Sequence, residues 1–154
     1  MSDSHIPEGY HSVTPSLTAR DARASLDFYV RALGAEVKFN MDDPSSGKVA
    51  HAEFAIGNSR MMISDEYPGY GAIAPEVGKG CAFMIYVPDV DAAFAKAVAA
   101  GATPTQEPMD QFWGDRTARV NDPFGYRWSF AAHVRDVSME EMDAAMKSWG
   151  EANS

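Results

Sequence analysis

The segment DQFWGDR, residues 110–116, sets Asp110, Gln111, Trp113, Asp115 and Arg116 side by side with Phe112. An aromatic face beside two carboxylates suits a planar or cationic ligand, with Trp113 stacking on it and Asp110 or Asp115 as counter-charge. Arg116 could instead take an anionic group. The same residues also suit a structural cap built from an Asp–Arg pair and a Trp, and both readings stand at this point. In either case Phe112 and Trp113 are expected to be partly buried, because leaving both in water forgoes a large apolar area. A second pair with chemical capacity is His51 and Glu53, two apart in KVAHAEFAI. On a strand they share one face, opposite Ala52, Phe54 and Ile56, which fit a core. If the shared face lines a cavity, the two can exchange a proton or hold a metal ion. The alternative is a solvent-facing stripe or a structural His–Glu pair.

These groups need a scaffold, and hydrophobic periodicity supplies its outline. SVTPSLT, residues 12–18, alternates with Thr14 and Ser16 on one side and Val13 and Leu17 on the other, which is a strand pattern. Asp21 then precedes a helical spacing over about residues 22–33 that Gly34 can end. AEVKFNM reads as a strand, DDPSSG as a turn, and KVAHAEFAI pairs with SRMMIS across Gly57-Asn58 as a hairpin. The second half repeats this order. CAFMIYV is a strand, Asp89 opens a helix ending at Gly101, and ATPTQEP leads out. RTARV and RWSFAA then flank the turn NDPFGY. The halves recur at about 67 residues, and five elements in matching order indicate duplication.

The reading is therefore α+β: two tandem βαβββ modules forming a curved, cavity-enclosing mixed sheet, with a C-terminal helix. Module one covers about 10–66, a Gly- and Pro-rich linker or lid 67–79, module two about 80–133 and the helix 138–149, all within one domain. Ser138-Met139-Glu140-Glu141 is a capping box that opens this helix. Its stripe Met139, Met142, Ala145, Met146 and Trp149 suits packing on the body or on a second subunit. DQFWGDR becomes a loop or bulge at the cavity mouth, where Gly114 permits the turn.

Composition narrows the partners. The chain has 154 residues, 45% hydrophobic and 23% charged, which is ordinary for one folded domain. A formal charge of −9 repels nucleic acid and anionic membrane surfaces at long range, so neither is expected as a partner. A single Cys81, expected in the core, excludes an internal disulfide and a thiolate zinc site. No apolar run approaches a membrane span, and the polar start lacks the features of a signal peptide, so a cytoplasmic protein is expected.

The paired units TARDARASLDFYVRALGAE and VPDVDAAFAKAVAAGA, closed by NDPFGYRWSF, resemble the vicinal oxygen chelate superfamily, which includes glyoxalase I, extradiol dioxygenases and the bleomycin and fosfomycin resistance proteins. The resemblance spans about residues 10–135. HAEFAIGNSRMMISDE, DQFWGDR and DPFGYRWS are most similar to the PhnB-like branch. The resemblance implies a homodimer whose clefts take a small-molecule ligand. It also implies metal ligands on the inner face, one near the start of each module's first strand and one on each last strand. Those positions fall on Thr14, Ala82, Ser129 and, in the first module, Met62 or Ser64. None makes a usual divalent-metal set, so no cofactor is expected, and lactoylglutathione lyase activity is not expected either. If Thr14 and Ala82 mark the inner face, alternation adds Ser16, Thr18, Met84, Tyr86, Arg127 and Ser129 to it. Val13, Leu17, Phe83, Ile85, Val87, Trp128 and Phe130 then pack beneath the helices. Two functions follow: a small-molecule binding protein of the resistance type, or an enzyme of lyase, isomerase or dioxygenase type. The latter would be metal-free or carry a displaced ion at His51 and Glu53.

Overall fold

A computed structural model describes residues 5–154. In the first unit β1 (Ser16–Ala19) leads into α1 (Ala22–Leu33), followed by β2 (Glu36–Asp42), β3 (Val49–Ile56) and β4 (Ser59–Asp65). The second unit repeats the order as β5 (Ala82–Tyr86), α2 (Val90–Ala99), β6 (Thr103–Asp110), β7 (Asp115–Asn121) and β8 (Arg127–His133). A final helix, α3, spans Met139–Ala152. Each unit forms its own four-stranded sheet, β1-β4-β3-β2 and β5-β8-β7-β6, in which the first strand runs parallel to the last and the other pairings are antiparallel. The duplicated βαβββ order read from the sequence is thus the observed one.

Local chemistry explains the boundaries. The Asp21 carboxylate accepts from the amide of Ala24 at 2.9 Å, and that of Asp89 accepts from Ala92 at 3.0 Å, so both are N-caps. Gly34, with φ of 68°, closes α1 in the left-handed conformation. Ser138 Oγ accepts from the amide of Glu141 at 3.1 Å, as the capping box requires. Asp65, only 8% exposed, takes the amides of Ala22 and Val49 at 2.7 Å each and so ties the end of β4 to the starts of α1 and β3.

Three expectations are corrected. The first strand starts at Ser16 rather than near residue 12, because Pro15 has no amide to donate and contributes only its carbonyl, which accepts from Met62. Val13 consequently lies outside the sheet at 83% exposure instead of packing beneath a helix. Cys81 is exposed rather than part of the core, since it precedes β5 and not the buried face of any element. The other residues assigned to the helix side, Leu17, Trp128 and Phe130 among them, are buried there, and Phe83, Ile85 and Val87 pack against them.

One core serves both units. α1 and α2 contact each other, and buried side chains from both sheets form a single cluster. At its centre the Asp122 carboxylate, 1% exposed, accepts four hydrogen bonds. Tyr29 Oη and Trp128 Nε1 donate to one oxygen at 2.6 and 2.8 Å, and the amides of Phe124 and Tyr126 donate to the other at 2.8 and 2.9 Å. Tyr29 belongs to the first unit and the rest to the second. Its ring stacks on Phe54 and meets Trp128 edge-on. Burial, and then the neighbouring Asp122, push the Tyr29 phenol well above its usual pKa, so it stays protonated and donates. A second link is Tyr126, whose hydroxyl accepts from the amide of Thr18 at 2.9 Å and donates to the Thr18 carbonyl at 3.0 Å. The linker closes over the same turn. A Cβ on Gly125, whose φ is 113°, would lie 2.4 Å from the Pro75 carbonyl oxygen, so only glycine fits there.

Replacing Asp122 by Ala leaves two side-chain donors and two amides unsatisfied in the interior. The variant should lose about 3 kcal/mol or more in urea unfolding, with the slope unchanged, as each buried group bears its own desolvation penalty.

Candidate functional site

Each sheet has one face beneath the helices and one free of them. The pairing register sorts the side chains, with β6 slipping twice between Pro104 and Met109. In the second sheet Ala82, Arg127, Asn121 and Thr103 form one row across the strands, Met84, Ser129, Arg119 and Gln106 the next, and Tyr86, Ala131, Thr117 and Met109 a third. These alternate with the buried Trp128, Val120, Phe130 and Ala118, so they lie on the helix-free face. A hollow of about 800 Å³ opens on it, lined by Met84, Thr105, Gln106, Arg119, Arg127 and Ser129 among others. The Arg127 guanidinium is anchored by Nε, which donates to the Gly80 carbonyl at 3.0 Å.

In the first sheet the corresponding face carries Ser16, Thr18, Met62, Ser64, Glu53 and His51. Unlike its counterpart it is partly covered by the chain before β1. His51 Nε2 and Glu53 Oε1 are 3.2 Å apart, and both side chains are half-buried. The Tyr10 hydroxyl is shielded from solvent against Glu53, though among the described residues it has no well-aligned partner. Tyr10 first, and then His51, hold the Glu53 carboxyl below its usual pKa. Arg60 adds a weaker pull on Glu53 and packs over the Tyr10 ring, 5.7 Å from its centroid.

The residues singled out in the sequence do not gather into one site. Arg127 and Ser129 line the hollow on the second sheet. Thr14 and Tyr86 line a different, more apolar cavity of about 610 Å³ between the units, whose walls include Leu33, Ile56, Met61, Phe83 and Trp128. Ser16 is exposed on the first sheet. DQFWGDR is a hairpin rather than an open loop: the Gln111 amide donates to the Asp115 carbonyl at 2.7 Å and the Gly114 amide to the Gln111 carbonyl at 3.2 Å. Phe112 and Trp113 are half-buried and meet edge to face at 5.1 Å, as their apolar area requires. The hairpin's charges are engaged within the chain. Arg116 takes both carboxylate oxygens of Asp91 at 2.7 and 2.9 Å and one of Asp110 at 3.1 Å, on the helix side of the sheet. Those two carboxylates raise its pKa further. Gln111 donates to Thr117 Oγ1 at 2.8 Å, and Asp115 pairs with His133 at 3.0 Å. A Cβ on Gly114 would lie 2.2 Å from the Arg135 carbonyl oxygen, which locks the hairpin against the segment leading to α3.

The inward positions do not fit a divalent ion. Thr14 lies before β1 and lines the other cavity, while Met62 or Ser64, Ala82 and Ser129 provide a thioether or a hydroxyl, a methyl and a hydroxyl, and among the described residues no three His, Cys, Asp or Glu side chains are grouped to hold a metal. His51 and Glu53 alone are two donors. Sequence reading passed over Arg119, Gln106, Asn121, Arg60 and Tyr10. Alternation in RTARVN, where Ala118 and Val120 are buried, carried a signal for Arg119 and Asn121. Tyr10 lies before β1, where no periodicity marks it.

Comparison with known proteins agrees with this geometry. The profile of the Glyoxalase/Bleomycin resistance protein/Dioxygenase superfamily matches residues 10–130. An uncharacterised protein of Mycobacterium bovis is 39% identical over 145 residues, covering 91% of this chain and 95% of that one. The crystal structure of TioX from Micromonospora sp. ML1 superposes with a TM-score of 0.65 and 27% identity, over 80% of this chain and 99% of that one. An Arabidopsis thaliana gene product superposes at 0.59 with 28% identity, over 79% and 98%.

Because Glu53 is held below its usual pKa in the folded chain, its contribution to stability is present above the ordinary carboxylate pKa and is lost as pH falls through the folded value. Tyr10→Phe removes the first cause of that depression. In a carbon NMR titration the Glu53 carboxyl should then titrate at higher pH than in the parent.

Proposed function

Since the chain belongs to the Glyoxalase/Bleomycin resistance protein/Dioxygenase superfamily, we propose that it binds a small organic molecule on the helix-free face of its second sheet, without a divalent ion at the family's usual position. The hollow of about 800 Å³ carries this reading. It is of the size that small-molecule sites have, and its floor mixes polar groups with the thioether of Met84. The side chains at the inward positions supply no metal set, so no step through a metal is derived.

A lyase, isomerase or dioxygenase-like activity at His51 and Glu53 is the second reading, and the 3.2 Å contact between them favours it. Tyr10 lies beside Glu53 and lowers the carboxyl's proton affinity, which suits an orienting role for Glu53 toward the imidazole better than an acid's role. The motifs HAEFAIGNSRMMISDE and DQFWGDR support placement in the PhnB-like branch.

Homodimer formation and a cytoplasmic location belong to the same proposal. α3 packs against no other helix or strand among the described residues, and Met139, Met146 and Trp149 on it are half or more exposed. A 14-residue amphipathic helix gains little stability alone, so a second copy is the natural cover for its stripe. The charge of −9 argues against nucleic acid or an anionic membrane as partner, and among the described residues no helix is long and apolar enough to cross a membrane.

Three measurements test the proposal. Ser129→Tyr, which fills the hollow from its floor, should abolish saturable NMR shifts caused by a small-molecule panel while leaving the melting temperature within a few degrees; undiminished binding would refute the location. Treatment with EDTA should change neither that binding nor the melting temperature, whereas loss of either would contradict a metal-free site. Removal of residues 138–154 should convert a sedimenting dimer to monomer.

A further inference from the structure

The N-cap residues Asp21 and Asp89 align the two units, and the register carries the match across each sheet. Ser16 pairs with Met62 in the first sheet as Met84 pairs with Ser129 in the second, and Met62 lies opposite Glu53 as Ser129 lies opposite Arg119. Two residues back along the last strands, Arg60 therefore matches Arg127, and Glu53 matches Arg119. The duplicated positions have diverged in sign. In the first unit Arg60 has the carboxylate of Glu53 near it and the ring of Tyr10 over it. In the second unit an arginine takes the place of that carboxylate, and Tyr10 has no counterpart among the lining residues.

The result is an uncompensated pair of cations in a chain of net charge −9. Among the described residues neither Arg119 nor Arg127 forms an ion pair with a carboxylate. Arg119 stands opposite Ser129 and Arg127 opposite Asn121 on adjacent antiparallel strands, which makes the two arginines diagonal neighbours roughly 7–8 Å apart at Cα. Both border the hollow. The bond from Arg127 Nε to Gly80 fixes the direction of one guanidinium and leaves its terminal amino groups unspent. Two like charges so placed repel each other unless an anion sits between them, and planar guanidinium forks match the oxygens of carboxylate and phosphate groups.

We propose that Arg119 and Arg127 bind the oxyanion group, carboxylate or phosphate-type, of a small organic molecule in this hollow, with the Ser129 hydroxyl as a further donor. The inference rests on the reading of the hollow as the ligand site. Arginine side-chain Nε–H signals, followed by NMR during titration with acetate and separately with methyl phosphate, test it. At least one oxyanion should produce saturable shifts at Arg119 and Arg127. The affinity should fall tenfold or more in Arg119→Gln and vanish in Arg119→Glu, which restores the first unit's arrangement of a carboxylate beside the arginine. Arg23→Gln, which removes an equal charge at an exposed surface pair with Asp42, should bind as the parent does. Absence of saturable shifts with both oxyanions, or weakening in Arg119→Gln no greater than in Arg23→Gln, would overturn the proposal. Benzyl alcohol separates the two readings. If it perturbs Met84 and Ser129 while the oxyanions do not, the anion inference fails and the ligand site stands. If no probe perturbs them, both fail.

Discussion

Four donors converge on one buried carboxylate, that of Asp122, and they come from three places in the chain: α1, the turn between β7 and β8, and β8 itself. Burying a charge costs several kcal/mol, and hydrogen bonds to a charged acceptor return about 1.5–3 kcal/mol each, so the net stabilisation is modest while the geometric demand is strict. The carboxylate keeps all four donors only while Tyr29 of the first unit reaches the turn of the second. That arrangement also fixes the strand bearing the candidate site: Trp128 points down to Asp122, and its neighbours Arg127 and Ser129 therefore point up into the hollow. Core and site are two faces of the same residues.

Duplication gave the molecule two helix-free faces with the same register and different fates. The first is partly closed by its own chain: His51 meets Glu53, Arg60 packs over the Tyr10 ring, and Glu53 and Arg60 offset each other's charge. The second is open, and its charges have no partner within the described chain. Physical chemistry distinguishes a finished polar cluster from an unfinished one by whether the charges are balanced, and only the second face is unfinished. The hollow on the second face is lined by two arginines and by no His, Cys, Asp or Glu side chain.

Much of the fold was legible because it is written in local signals. Asp21 and Asp89 before helical spacings, Gly34 after one, and the NDPFGY turn each have a mechanism that tertiary context did not override. Alternation correctly opposed Ala52 and Phe54 to His51 and Glu53. Pro15 was the exception within a convincing pattern, since alternation of side chains does not reveal the loss of an amide. The hairpin at DQFWGDR drew notice for its density of chemistry, yet its charges are taken up by Asp91 and His133, residues 25 and 18 positions away in sequence. Partners at that separation leave no trace in a short window. Arg119 was hidden for the opposite reason: its meaning lies in what it lacks, and a missing counter-charge becomes visible only when the strands are set side by side.

α1 of the first unit and the turn of the second are held together through Asp122. A double-mutant cycle on Tyr29→Phe and Asp122→Asn, read by urea unfolding, measures that link directly. A coupling energy of about 1 kcal/mol or more is the predicted result. Losses that simply add, to within a few tenths of a kcal/mol, would show that the two units find their arrangement without this contact and would contradict the account.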